Sequence, residues 1–171
     1  LVAAVLAPVQ AVVGDFHGLN TLEHQPAKIA AMEAIWHTEN GVPLVLFAIP
    51  NEKTKTNDYA IEIPYGASLI LKHDANAELK GLDAFGADTP PVAPVFFAFR
   101  IMVGIGVLMI AVSWFTAWVT RKGAAAPTWL LWTLAGFTFS GWVATVSGWI
   151  VTEIGRQPWL VHGVMRTREA V

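Results

Sequence analysis

Two long stretches of the chain carry no Asp, Glu, Lys or Arg: the nineteen residues Ile101–Val119 and the thirty residues Gly123–Thr152. A helix needs about 20 apolar residues to cross the hydrocarbon of a bilayer, so each stretch is long enough. Trp114, Trp118, Trp129 and Trp132 stand near their ends, where amphipathic rings settle at the membrane–water boundary. The pattern predicts two membrane-spanning helices, 94–120 and 128–153, joined by a short turn, 121–127, that holds Arg121, Lys122 and Gly123. A third apolar run, Leu1–Val13, has no initiator Met and no basic residues before it, and it is too short to cross. Residues 1–14 are therefore expected to be the end of a transmembrane helix that begins upstream, and the sequence a piece of a longer polypeptide.

Between the apolar runs lies a polar segment, 15–93, followed at the far end of the chain by a tail, 154–171. The 79 residues of the segment exceed an ordinary connection and point to a functional loop outside the membrane. Within it, Pro26–Trp36 reads as a helix, with Pro in the first turn and Ile29, Met32 and Trp36 at spacings of three and four. Asn57–Ile63 alternates weakly and fits a strand or a short helix, while Gly81–Pro94, with two Gly and three Pro, reads as irregular. No internal repeat is present.

Composition narrows the class. Of 171 residues 54% are hydrophobic and 14% charged, against roughly 25% charged in a soluble domain. A disordered chain would be poorer in apolar residues. The lack of cysteine excludes a disulfide-stapled module and a Cys-ligated zinc or iron–sulfur site. A net charge of -2 gives no basic face for nucleic acid. The fold class is all-α: an integral membrane helical bundle, partial in this chain. Segment 15–93 holds 11 of the 13 acidic residues and 5 of the 11 basic ones, a local charge of −6. The positive-inside tendency puts the Arg121–Lys122 turn in the cytoplasm and the acidic loop outside, although Arg156, Arg166 and Arg168 in the tail count the other way.

Few polar residues near the spans could carry chemistry. Trp142, Trp149 and Arg156 are seven apart and Glu153 lies four after Trp149, so the four share a helix face. Glu153 is either a functional carboxylate at the end of a span or an edge group reaching water beside Arg156. Met102 is either core packing or a thioether axial ligand of a haem iron, which needs a His partner. Arg100 either reaches for water or neutralises a buried anion. His17, His24 and His37 show no metal-binding spacing and read as solvated. Lys28 and Glu33, five apart on the loop helix, do not share a face and read as a solvated surface pair. No phosphate-binding loop or nucleophile motif is present. A non-catalytic membrane anchor or transporter subunit without haem stays open on these features.

Longer motifs go further. Gly148-Trp149-Ile150-Val151-Thr152-Glu153-Ile154-Gly155-Arg156-Gln157-Pro158-Trp159 resembles the GWxxxExGRQPW signature of subunit I of the cytochrome bd-type quinol oxidases. Phe97-Ala98-Phe99-Arg100-Ile101-Met102-Val103 is similar to that family's FAFRIM segment. Gly14-Asp15, with Gln25-Pro26-Ala27-Lys28-Ile29-Ala30-Ala31-Met32-Glu33-Ala34 after it, resembles the start of its quinol-binding loop. Phe47-Ala48-Ile49-Pro50 and Ile61-Glu62-Ile63-Pro64-Tyr65 fit the same loop further on, and all the matches run in family order.

The resemblance implies the C-terminal part of a respiratory terminal oxidase subunit in the bacterial cytoplasmic (inner) membrane, with the acidic quinol-binding loop on the periplasmic side. Such an enzyme oxidises quinol at the outer face and passes electrons through haems to reduce oxygen to water, building a proton gradient without pumping. Met102 would be an axial ligand of the low-spin haem b, its His partner lying in the N-terminal part of the same subunit. Glu153 would ligate the high-spin haem b, with Trp149 between haems and Arg100 and Arg156 as propionate counter-ions. Lys28 and Glu33 would bind quinol, Glu33 taking a hydroxyl proton. The third haem is haem d or a third haem b; the short loop and His24-Gln25-Pro26 resemble the cyanide-insensitive branch, with haem b. The implied partners are oxidase subunit II, membrane lipid, quinol and oxygen, and no nucleic acid.

Overall fold

A computed structural model describes residues 2–161 and 163–170. Its elements in chain order are α1 (Val2–His24), α2 (Pro26–Glu33), β1 (Glu39–Asn40), β2 (Leu44–Asn51), β3 (Thr56–Ile63), α3 (Gly66–Lys72), β4 (Glu78–Leu79), α4 (Val92–Val119), α5 (Thr128–Gly136), α6 (Ser140–Gly155), β5 (Trp159–Val161) and β6 (Met165–Arg166). The helices form the bundle, and three two-stranded antiparallel sheets, β1–β4, β2–β3 and β5–β6, lie in the segments outside it.

The two expected spans are present. α4 runs 28 residues and admits Pro94 because a first-turn N–H has no intrahelical partner. Thr128–Gly155 forms the second, interrupted at Phe137–Phe139 by a turn of 3-10 helix. Gly136 and Gly141 flank that turn and weaken the α-helix there. The connection between the spans turns at Lys122 and Gly123, both in the left-handed region, with φ of 66° and 76°. Phe115 gathers Trp118 and Trp129 at ring separations of 5.9 and 5.7 Å, and Arg121 lies 5.3 Å over Trp118.

The first helix departs from expectation. α1 does not stop near Val13; it continues through the polar stretch to His24, and its 23 residues are long and apolar enough to cross a membrane. Nothing in Asp15–His24 breaks a helix: Thr21 and His24 return side-chain bonds to the carbonyls of His17 and Asn20. The break comes at Gln25, which Pro26 pushes out of the helical region to φ −138° and ψ 61°. The Trp114 indole N–H donates to the Ala4 carbonyl at 2.8 Å and ties α1 to α4.

The buried core lies at the other end of the bundle. Ile29, Ala30, Ala31, Met32, Ile35 and Trp36 pack against Val45 and Ala48 of β2, Val95 and Phe96 of α4, and Val151 of α6. α2 is thus packed among α1, α4 and α6, and the residues that follow it, Ala34 and Trp36, meet the β2–β3 hairpin. Asn57–Ile63 is a strand, paired to β2 with Leu44 opposite Ile63 and Pro50 opposite Asn57. The Gly81–Pro94 stretch contains a 3-10 turn, Leu82–Phe85, and the start of α4. Gly81 crosses the His37 backbone so closely that an added Cβ would sit 2.3 Å from the His37 carbonyl carbon.

Candidate functional site

The site forms where α2 crosses the N-terminal turns of α4 and the C-terminal turn of α6. Pro26 starts α2 and Ala34 ends it in the left-handed region, φ 53°, its N–H bonded to Ala31. Five residues per one and a half turns separate Lys28 from Glu33, so they reach different neighbours.

Glu33 faces α4. Its carboxylate accepts from Arg100 Nη2 at 2.6 Å and Nη1 at 3.5 Å, with side-chain exposures of 8% and 16%. The surface pair expected from the sequence is therefore not there: Glu33 is buried, and its partner is Arg100, 67 residues on. Arg100 is held by the rings of Phe96 and Phe99, 4.8 and 5.4 Å from the guanidinium carbon. Its Nε is buried without a hydrogen-bond partner among the described residues. Burying two charges costs several kcal/mol each, which mutual attraction recovers only in good geometry.

Lys28 faces α6. Its aliphatic stem lies over Gly155, where an added Cβ would meet Cγ at 3.0 Å and Cε at 3.2 Å. Burial lowers the Lys28 ammonium below its ordinary range; Glu153 pulls it up and Arg156 pushes it further down. Glu153 and Arg156 are ion-paired one turn apart on α6, both half-buried, and Arg156 Nε is also buried without a partner among the described residues. The chain then doubles back: Gln157 donates to the Glu153 carbonyl, Thr167 donates to Gln157, and Arg166 pairs with Asp88 at 2.8 Å.

Met102 is two residues beyond Arg100 and turns toward α6. Its Sδ fits the gap left by Gly148, where a Cβ would stand 2.9 Å away. Trp149 is 65% exposed and points out of this chain. The structure thus brings Lys28, Glu33, Arg100, Glu153 and Arg156 to one end of the bundle. Met102 lies deeper between α4 and α6, and Trp149 stands apart on the outer face of α6. Among the described residues no three His, Asp or Glu cluster in a metal-binding group. His17 and His24 are exposed, and His37 lies 3.5 Å from Asp83.

Sequence reasoning missed the supports of this site. Gly148 and Gly155 stand seven apart on one face of α6, and that spacing was the readable signal of two close approaches. Glu52 and Asn57 gave none. Glu52, at the end of β2, accepts the Val92 N–H at 3.0 Å and caps the start of α4. Asn57 binds residues 21 and 23 positions earlier, a proximity created by the hairpin alone.

The family model for cytochrome bd terminal oxidase subunit I matches residues 1–171. Cytochrome bd ubiquinol oxidase subunit 1 of Bacillus subtilis (strain 168) is 33% identical over 92% of this chain and 36% of its own length. Cytochrome bd-II ubiquinol oxidase subunit 1 of Escherichia coli (strain K12) is 25% identical over 98% of the chain and 45% of its own length. The structure of bd oxidase from Geobacillus thermodenitrificans superposes with a TM-score of 0.82 at 32% identity, covering 97% of this chain and 39% of that one. The chain therefore spans less than half the length of each of these relatives. Matched along its whole length by one family, it belongs to the cytochrome bd terminal oxidase subunit I family.

Proposed function

We propose that this chain is the quinol-oxidising end of a respiratory terminal oxidase, with α2 as the wall of the quinol site. The observation that carries the reading is the position of α2: it presents Lys28 toward the Glu153–Arg156 pair and Glu33 toward Arg100. A quinol seated beside α2 offers two hydroxyl protons and two oxygens that bear negative charge once the protons leave. The Glu33 carboxylate is the proton acceptor, a role that requires hydrogen-bond reach to the hydroxyl. The Lys28 ammonium orients the second oxygen, and its partial burial keeps the charge close to the ligand rather than in bulk water. Arg100 balances Glu33 before the proton arrives and is left with a less compensated positive charge afterwards.

Met102 and Glu153 are the residues that would hold haem iron, and Trp149 flanks the second of them. The residues present fit such groups. A thioether between two helices is a soft ligand, and each of Arg100 and Arg156 keeps a buried Nε–H for an acceptor such as a propionate. When bound, haem supplies the one-electron chemistry that a side chain cannot. The N-terminal part of the subunit would bring the His ligands, and oxidase subunit II would complete the enclosure. The quinol end faces the periplasm in this reading, so protons from quinol leave outside, while oxygen reduction elsewhere in the enzyme draws protons from the cytoplasm.

The test is quinol oxidation by the full-length subunit in its assembled membrane complex, with Lys28→Ala and Glu33→Gln. The expected result is a fall of about tenfold or more in quinol turnover, while oxygen consumption from a small artificial electron donor is kept. Unaltered quinol turnover and affinity in both variants would overturn the assignment. A reduced-minus-oxidised spectrum unchanged by Met102→Leu and Glu153→Leu would overturn the haem roles.

A further inference from the structure

Glu33 can serve as a proton acceptor only if the end of α2 holds still, and the bonds that close this end, from Ala34 N–H to Ala31 and from Ile35 N–H to Ala30, depend on the backbone conformation of Ala34. The residue after Glu33, Ala34, is buried in the left-handed conformation, φ 53° and ψ 43°. An alanine adopts that conformation only when its surroundings impose it, because Cβ crowds the following carbonyl. The Ala34 carbonyl points away from α2 and accepts a hydrogen bond from Asn57 Nδ2 at 3.0 Å. Asn57 Oδ1 in turn accepts from the indole N–H of Trp36 at 2.8 Å. One carboxamide therefore spans the two residues that leave the helix on either side of Ile35. Its orientation is determined: an indole N–H only donates and a carbonyl only accepts, so a flipped amide would lose both bonds.

The same hairpin also holds the opposing helix. Glu52, across the β2–β3 turn from Asn57, accepts the Val92 N–H at the start of α4. About two turns further along α4 is Arg100. Both halves of the Glu33–Arg100 contact are thus tied by hydrogen bonds to one β-hairpin.

We infer that Asn57 is a positioning residue for the quinol site: its carboxamide fixes the C-terminal end of α2 and, through it, the aim of the Glu33 carboxylate at the quinol hydroxyl. Asn57 does not touch the substrate. The inference rests on the reading of Glu33 as the quinol-site base.

The experiment compares Asn57→Ala, Asn57→Asp, Glu33→Gln and the double variant Asn57→Ala/Glu33→Gln in the full-length subunit within its complex. Asn51→Ala serves as control, because among the described residues its carboxamide bonds stay within the hairpin: Nδ2 donates to Asp58 at 3.2 Å and Oδ1 accepts from the Lys53 and Thr54 amides at 3.2 and 3.4 Å. Asn57→Ala is expected to lower kcat for quinol oxidation about tenfold with KM within about twofold, since two hydrogen bonds that hold geometry are lost. Asn57→Asp is expected to match it, as a carboxylate still accepts from Trp36 but cannot donate to Ala34. Asn51→Ala is expected to leave kcat unchanged. In the Glu33→Gln background, Asn57→Ala should cost nothing further, because the group it positions is gone; a residue that merely stabilises the loop would cost the same in both backgrounds. Hydrogen exchange at the Ala34 and Ile35 amides should rise about tenfold in Asn57→Ala and not in Asn51→Ala. The inference is overturned if Asn57→Ala keeps parental kcat while Glu33→Gln is slow, or if the two effects multiply. A Glu33→Gln variant with parental turnover overturns the reading of the site, and this inference with it.

Discussion

Replacing Arg100 by Met removes a charge from a place where its partner cannot find water. Glu33 is 8% exposed at its side chain, and Arg100 supplies both of its close donors, at 2.6 and 3.5 Å. Breaking a buried pair from one side costs about 3–5 kcal/mol, because the remaining charge is left uncompensated. Loss of the guanidinium contacts with Phe96 and Phe99 adds a smaller cost, about 1 kcal/mol, as methionine refills part of the space. Glu33→Gln is milder: the amide still accepts one bond from Arg100, and Arg100 is the more exposed partner, so about 1–3 kcal/mol is expected. Removing both charges, in Glu33→Leu/Arg100→Met, recovers most of the loss, because a well-packed apolar pair tolerates burial. Hydrogen exchange along Ile29–Ala34 in the detergent-solubilised complex reads these costs as local opening. At about 1.36 kcal/mol per tenfold, Arg100→Met should speed exchange roughly a thousandfold to ten-thousandfold or somewhat more, Glu33→Gln about tenfold to a hundredfold, and the double variant less than tenfold. Parental exchange in Arg100→Met, or a double variant as fast as the two singles combined, would refute the claim that this pair anchors α2.

Further substitutions probe the contacts around the site. Gly148→Ala places a Cβ 2.9 Å from Met102 Sδ; the flexible thioether yields, so thermal stability should stay within about 1 kcal/mol, and the role proposed for Met102 adds that the reduced-minus-oxidised spectrum of the complex shifts. Gly81→Ala meets the His37 backbone at 2.3 Å, which cannot yield as cheaply, and should destabilise the loop by about 1–3 kcal/mol, seen as faster proteolysis between β3 and α4. Burial acts to raise the Asp83 carboxyl, yet hydrogen bonds from the Thr38 hydroxyl and amide and from His37 outweigh it and hold it below its ordinary 3.8. A carboxyl depressed in the folded state contributes stability above the unfolded value and loses it as pH falls through the folded one. Exchange of the Thr38 amide should therefore stay slow above about pH 4 and quicken below, an acid response that Asp83→Asn abolishes.

The legible part of the fold was the part written in long runs. Absence of charge over Ile101–Val119 and Gly123–Thr152 marks two spans because hydrocarbon selects composition directly. The same reasoning ended the first helix too early. Asp15, His17 and Asn20 are polar but not helix-breaking, and helix continues until Pro26 stops it. Polarity reports where the membrane ends, whereas Pro26, unlike Pro8 inside the same helix, marks where the helix ends. The loop helix was legible from Ile29 and Met32, both in the core, but it ends at Glu33, so Trp36, read as its last residue, is buried beyond the helix. Its charged residues were not: a lysine and a glutamate five apart look solvated until tertiary packing lays Phe96 and Arg100 over one and Gly155 under the other. β2 escaped notice because its inward residues, Val45, Ala48 and Pro50, are interleaved with exposed Leu46, Phe47 and Ile49. An apolar strand on both faces has no alternation to read.

α2 is the proposed wall against which quinol sits. Photolabelling measures that directly: an azido-substituted quinone, irradiated with the full-length complex and mapped by peptide mass, reports the residues within reach of the bound ring. Adducts are predicted on Pro26–Trp36 and on the facing turn of α4, lost when excess unmodified quinol competes. Competed adducts confined to the Arg121–Pro127 connection, at the opposite end of the bundle, would contradict the account.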